Sequence, residues 1–326
     1  MYTYNIIDRY DLQLFAGALN TNVTTSSGSG NDLSPEMKTY YSDYLIDNAV
    51  PKLVHDQFGQ KHPIPKNGGK IIEFRKYSPL PKLTTALTEG VTPDGQALNV
   101  STVTATVAQY GGYITLSDIL LLTAIDNNLV QATKLLGAQA GATLDTITRE
   151  VLNGGTNVIY AGGVSSRETL ADNLKVDDIK KAVRALKAQN AEKIGDSFVA
   201  IIHPDVAYDL TNDPKWESVK VYDPKDWYEG EIGRIAGVRF VETTEAKIFN
   251  GGVYSTLVLA DNAYGVTDVE GGGLQHIVKQ LGSAGTADPL NQRASCGWKA
   301  IKTAERLVEQ FMVRIESKCT FTGAAN

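Results

Sequence analysis

The chain has 326 residues, enough to bury a large core in one elaborate domain or two lobes. Its 42% hydrophobic and 21% charged content is that of a soluble globular protein. With 31 basic against 37 acidic residues, a formal charge of -6, there is no general attraction to nucleic acid or to an anionic membrane.

Two cysteines, Cys296 and Cys319, do not make a disulfide scaffold, which predicts folding in a reducing cytoplasm. The first residues show no basic region followed by a long apolar core, so no cleavable signal is expected. The nearest approach to a membrane span, Ile119 to Ile125, is far too short for one.

Residues Tyr2 to Leu19 are mixed, with Leu12, Leu14 and Phe15 clustered. Asn20 to Asn31 consists mainly of Thr, Ser, Gly and Asn without periodicity, which reads as a flexible arm: a loose tail, or a segment that docks on a neighbouring subunit. Ser34-Pro35-Glu36 is a helix start, with a cap, a first-turn proline and an acid at the positive end of the dipole. Met37, Tyr41, Tyr44 and Leu45 follow at helical spacing, and Pro51 kinks or restarts the helix.

Pro63 to Thr115 reads as a long hairpin. Lys70 to Tyr77 is one strand, preceded by an Asn67-Gly68-Gly69 turn. Val100 to Val107 alternates, with Val103, Ala105 and Val107 on one face, and Tyr110 to Ile114 is expected to extend it. Ser78 to Asn99 is too long and too rich in Pro and Gly for a loop inside a compact body, so it is expected to be the tip of a projecting arm. Gly68-Gly69-Lys70 lacks the spacing and the Ser or Thr of a phosphate loop.

Leu129 to Leu152 predicts the longest helix, about 36 Å, with Leu129, Ala132, Leu136, Ala140, Thr143, Ile147 and Val151 as its stripe. Gly137 and Gly141 on one face permit close approach of another element, and Asn153-Gly154-Gly155 ends the helix. Asp177 to Asn190 predicts an amphipathic helix with Ile179, Val183 and Leu186 inside and Lys180, Lys181, Arg184 and Lys187 in solvent.

Phe198 to Ile202 is a strand covered on both faces, stopped by Pro204, after which Asp205 is expected to cap a short helix carrying Val206 and Leu210. Gly230 to Ala236 predicts a helical turn ending at Gly237, and Val238 to Glu242 a second strand. Later strands are expected over Tyr254 to Ala260, Ala263 to Thr267, His276 to Leu281, Ser295 to Ile301 and Leu307 to Ile315.

The search for chemistry is mostly negative. No nucleophile elbow, zinc-protease helix, Cys-x-x-Cys pair or dinucleotide fingerprint occurs, and there are only four histidines. His203 with Asp205 and Asp209 is the one cluster suited to metal or acid–base work, and a satisfied structural histidine is its alternative. Cys296 reads as a small buried hydrophobe. Trp216, Tyr222, Trp227 and Tyr228 among lysines suit base stacking or, more simply, packing of their own subdomain. No catalytic, cofactor or metal site is assigned.

An arm, a projecting hairpin, a long small-residue helix and a sheet without a reaction centre are parts for contacting neighbours. In combination, several segments resemble tailed-phage major capsid proteins of the Hong Kong 97-like fold, in the branch related to the coliphage N4 shell protein. They are Leu33-Ser34-Pro35-Glu36-Met37-Lys38-Thr39-Tyr40-Tyr41, Gly68-Gly69-Lys70-Ile71-Ile72-Glu73-Phe74-Arg75, Leu87-Thr88-Glu89-Gly90-Val91-Thr92-Pro93, the run from Gly230 to Phe240, and Asp288-Pro289-Leu290-Asn291-Gln292 with Gly297-Trp298-Lys299.

The resemblance runs from about residue 33 to the C-terminus and implies an α+β fold. Residues 1–62 would be the N-terminal arm and its helix, and 63–112 an extended hairpin loop lying over the adjacent subunit. Residues 113–175 would be a peripheral domain with the spine helix 129–152, 176–294 an axial domain, and 295–326 the return strands of the peripheral domain. The implied inter-subunit contacts are Leu12, Leu14, Phe15, Leu83, Leu87, Glu89, Val91 and Pro93.

The implied partners are identical subunits in pentamers and hexamers, a portal, scaffold or decoration proteins, and packaged DNA held without sequence-specific binding. No membrane and no cofactor are implied. The place would be the virion capsid, assembled in the host cytoplasm. A ring-forming enzyme with a site near His203, or another virion protein of the tail tube or decoration type, stands as the alternative.

Overall fold

The computed structural model describes residues 21–22, 54–92, 94–123, 128–216, 234–283 and 288–326. The expected helix from Ser34 lies outside them. The chain divides into two compact units, one of Met1–Asn48, Gly111–Ala138 and Gln275–Lys299, the other of Ala49–Tyr110, Gln139–Leu274 and Ala300–Asn326.

The larger unit is built on a mixed seven-stranded sheet. Its strands are β6 (Val158–Tyr160), β7 (Phe198–Ile202), β8 (Arg234–Ile235), β9 (Val238–Glu242), β10 (Ile248–Phe249), β11 (Val253–Leu259) and β15 (Met312–Ser317). The order is β6-β15-β11-β7-β9-β8, with β10 paired to β11. Strand β7 lies parallel to β9 and antiparallel to β11. Every residue of β7 and of β11 is buried, as their apolar runs require.

The pleat sends alternate residues to opposite faces. Phe198, Ala200, Ile202, Val258, Val313 and Ile315 pack on one side, with Val176, Ile179, Val183 and Leu186 of helix α3 (Val176–Ala188) and Val206 and Leu210 of α4 (Pro204–Thr211). Ile201, Leu257, Leu259 and Met312 pack on the other, with Leu152, Tyr264 and Phe58. The four cations of α3 face solvent as expected.

Two expectations change here. Ala236 (φ 53°) and Gly237 (φ 80°) are the central pair of a hairpin turn joining β8 to β9, so Gly237 ends no helix. The stretch Leu307 to Phe311 is a connection with one 3-10 turn, Glu309–Phe311, and the last strand is shorter than predicted. That strand, β15, sits between β6 and β11 in the sheet of β7.

The same unit holds β2 (Gln60–Lys61) parallel to β12 (Tyr264–Asp268), and β12 antiparallel to the end of β14 (Arg293–Arg306), in the register Tyr264↔Arg306 to Asp268↔Lys302. The smaller unit holds β1 (Thr21–Asn22), which pairs parallel with Thr115–Leu116 although its segment was expected to be a flexible arm, most of β5 (Ala108–Ser117), helix α1 (Asp118–Thr123), and β13 (Gln275–Lys279) antiparallel to the start of β14. Strand β5 does not prolong the hairpin as expected. It opens a new strand in another sheet. Backbones approach closely here, because a Cβ on Gly297 would lie 2.7 Å from the Gly112 carbonyl oxygen. Ser117 Oγ accepts from Leu120 N at 3.2 Å and starts α1, whose Leu120 packs with Leu116. Among the described residues, no helix is long and apolar enough to cross a membrane.

Helix α2 (Asn128–Asn153) carries the predicted small residues, and Gly137 and Gly141 are buried. Its buried stripe departs from the expected one. After Ala140 it passes through Leu144, Asp145, Thr148, Arg149, Leu152 and Asn153, while Thr143, Ile147 and Val151 are half-buried. Four of those six are polar, so their partners decide the face, not their hydrophobicity.

Candidate assembly surface

Strands β3 (Ile71–Tyr77) and β4 (Val100–Thr106) pair antiparallel in a two-stranded sheet of their own, from Ile71↔Thr106 to Tyr77↔Val100. The inner face carries Ile72 opposite Ala105 and Phe74 opposite Val103. The root is anchored where buried Ile64 bridges Val269 and Phe74 meets the His62 ring edge-on at 5.3 Å. Beyond it, Ser78 N donates to the Asn99 carbonyl at 3.0 Å and opens the loop.

The loop has no core. Leu83 is 79% exposed, Leu87 75% and Val91 62%, and Leu80, Leu98 and Glu89 are also exposed. A turn with Val91 N donating to the Thr88 carbonyl at 3.1 Å and Gly90 at φ 77° presents Glu89 at its bend. Leu12, Leu14, Phe15 and Pro93 lie outside the described residues.

The one cluster suited to acid–base chemistry is committed elsewhere. His203, not Asp205, caps α4: its Nδ1 accepts from Asp205 N at 3.2 Å. Tyr254 Oη donates to Asp205 Oδ2 at 2.8 Å, and Thr320 N donates to Asp209 Oδ2 at 2.8 Å. Burial pushes His203 below the ordinary histidine range against the pull of Asp205, so it is held neutral as an acceptor. Burial raises the Cys296 thiol to about 11, which leaves an inert hydrophobe. Trp216 is buried edge-on to Phe240 at 5.5 Å, while Tyr222, Trp227 and Tyr228 lie outside the described residues. Among the described residues, no group of His, Cys, Asp and Glu is placed to hold a metal.

The polar half of α2 grips the segment that leads to the hairpin. Asp145 accepts from His55 N at 2.8 Å and meets His55 Nδ1 at 2.6 Å, with both side chains essentially buried. Thr148 donates to Asp56 Oδ1 at 2.5 Å, and Asp56 Oδ2 pairs with Lys302 of β14. Tyr264 donates to the His55 carbonyl. Sequence reading passed over these residues. The only signal was their polarity on the face of α2 that continues its apolar stripe.

The described surface thus carries exposed apolar side chains on the loop, and the His203 cluster is taken up in capping α4. A family model described as phage capsid protein matches residues 100–294. No curated protein matches the chain. Among solved structures it is similar to the capsid of cyanophage P-SCSP1u, at 13% identity over 91% of this chain and 93% of that one, with a TM-score of 0.64. The capsid of cyanophage Pam1 is similar at 14% identity over 94% and 100%, TM-score 0.64. That of Ralstonia phage GP4 is similar at 12% over 99% and 100%, TM-score 0.62. At such identities the likeness is one of fold, and the fold is a mixed helix-and-strand phage capsid fold.

The chain belongs to the phage capsid protein family. It is a structural protein, a major capsid protein of the phage shell.

Proposed function

We propose that identical copies of this chain assemble through pentamers and hexamers into an icosahedral shell around a phage genome, within the Hong Kong 97-like branch related to the coliphage N4 shell protein. In this reading residues 63–112 are the extended loop, lying over the adjacent subunit. Residues 1–62 are the arm and its helix, 113–175 the peripheral domain with its spine helix, 176–294 the axial domain, and 295–326 the return strands of the peripheral domain.

The observation that supports the reading best is the loop. Leu83, Leu87 and Val91 stand in solvent on chain that has no core of its own. Each contributes about 1.5–3 kcal/mol when covered, and a shell repeats the contact at every subunit. Glu89 and Pro93 complete the contact on the loop, and Leu12, Leu14 and Phe15 supply it from the arm. Portal and scaffold or decoration proteins are the other partners, with assembly in the host bacterial cytoplasm. The charge of -6 fits DNA enclosed without sequence-specific binding.

Negative-stain microscopy of purified protein tests the proposal. Closed shells are expected. Discrete rings would favour an enzyme with a site near His203, and tubes a tail protein, and either would overturn it.

A further inference from the structure

Within the larger unit, Lys302 Nζ contacts Asp56 Oδ2, and the two side chains are 7% and 15% exposed. Two further bonds orient them. Nζ donates to the Leu144 carbonyl at 2.9 Å, and Thr148 Oγ1 donates to Asp56 Oδ1 at 2.5 Å. The amine, both carboxyl oxygens and a hydroxyl donor are therefore held in one arrangement by α2 and β14.

Burial disfavours the ionic form of this pair. It holds Lys302 below the ordinary lysine range although Asp56, Asp145 and Asp268 all pull the other way. A proton passed from Nζ to Oδ2 leaves a free amine against a carboxylic acid, which are the two reactants of an amide condensation.

We propose that Lys302 and Asp56 condense after folding into an isopeptide bond within one subunit. The Nζ lone pair attacks Asp56 Cγ, and charge developing on Oδ1 is met by the Thr148 hydroxyl. The C–Oδ2 bond then breaks. Of the three ammonium protons, two leave with Oδ2 as water and one stays on the new amide N–H, which keeps the Leu144 carbonyl as its acceptor. The balance is ammonium plus carboxylate giving amide plus water, with no oxidant or activating group.

Such a condensation is unfavourable between free groups in water. Oriented groups react as though at roughly 10⁵–10⁸ M, which lowers the barrier, and burial disfavours the charged pair that hydrolysis of the amide would restore. A cleft of about 370 Å³, lined by both residues with Leu144, Val266 and Ile301, gives the water a way out. The bond would tie the segment entering the hairpin to a strand 246 residues further on. It closes inside a subunit and does not depend on the assembly reading.

The intact mass of the full-length folded protein, measured after denaturation, decides the matter. The expected mass is one water below that of the sequence. Lys302→Arg and Asp56→Ala should each restore the full mass, and tryptic digestion of the wild type should yield one joined peptide spanning Asp56 and Lys302. A wild-type chain still at its full sequence mass after days in the folded state overturns the proposal. So does a water loss that persists in both variants. The wild-type mass suffices if a variant fails to fold.

Discussion

Replacing Leu83 and Leu87 together by serine separates assembly from folding. At 79% and 75% exposure the two side chains add almost nothing to the subunit core. The subunit's own stability should therefore stay within about 0.5 kcal/mol of wild type. If the neighbouring subunit covers them, each loss removes about 1.5–3 kcal/mol from one contact, or about 3–6 kcal/mol for the pair. That corresponds to a drop of roughly 10²–10⁴ in the equilibrium constant of every such contact. The concentration needed for shells should rise in proportion, read by light scattering and microscopy over a dilution series, with the melting temperature of unassembled subunits as control. Shells at the wild-type concentration would refute the role of the loop. A large fall in subunit melting temperature would show that these residues serve the subunit's own core.

Among the described residues a chain beginning at Asp32 loses only the two-residue pairing of Thr21–Asn22 with Thr115–Leu116, and a Thr, Ser, Gly and Asn segment has little else to bury within its own subunit, so it should melt as a free subunit at nearly the wild-type temperature yet assemble poorly; normal shells at normal yield would remove the arm from the contact. His203 is depressed by burial, so the unfolded chain takes up the proton first as pH falls below about 6.5. Its contribution is therefore complete above that pH and lost as pH falls through the lowered folded value. Protonated Nδ1 also cannot accept the Asp205 N–H. His203→Asn should keep the cap within about 0.5 kcal/mol at pH 8 and flatten part of the fall in melting temperature below pH 6.5; an unchanged pH profile would count against the cap. Gly297→Ala should lower stability by about 1–3 kcal/mol, because its Cβ meets the Gly112 carbonyl oxygen at 2.7 Å and Tyr113 Cβ at 2.8 Å. Gly273→Ala, which meets nothing within 4 Å, is the control in the same thermal melt.

Local pattern alone determined much of this protein. The apolar run Phe198 to Ile202, the amphipathic Asp177 to Asn190, the long helix and the two strands of the hairpin each form where their periodicity places them. The missing reaction motifs and the Pro- and Gly-rich loop already pointed to a protein that contacts neighbours. Tertiary structure decided what periodicity cannot encode, which is the choice of distant partners. The buried face of α2 turns polar because His55 and Asp56 stand 90 and 92 residues away from Asp145 and Thr148, and no window on the helix contains them. Ala236-Gly237 became a hairpin turn because β9 pairs β7 in parallel and β8 folds back on it. The strand Met312–Ser317 joined the sheet of β7 because β11 and β6 offered it two edges. A strand's sequence states that it must be covered and paired, and only the folded chain supplies the neighbour that does so.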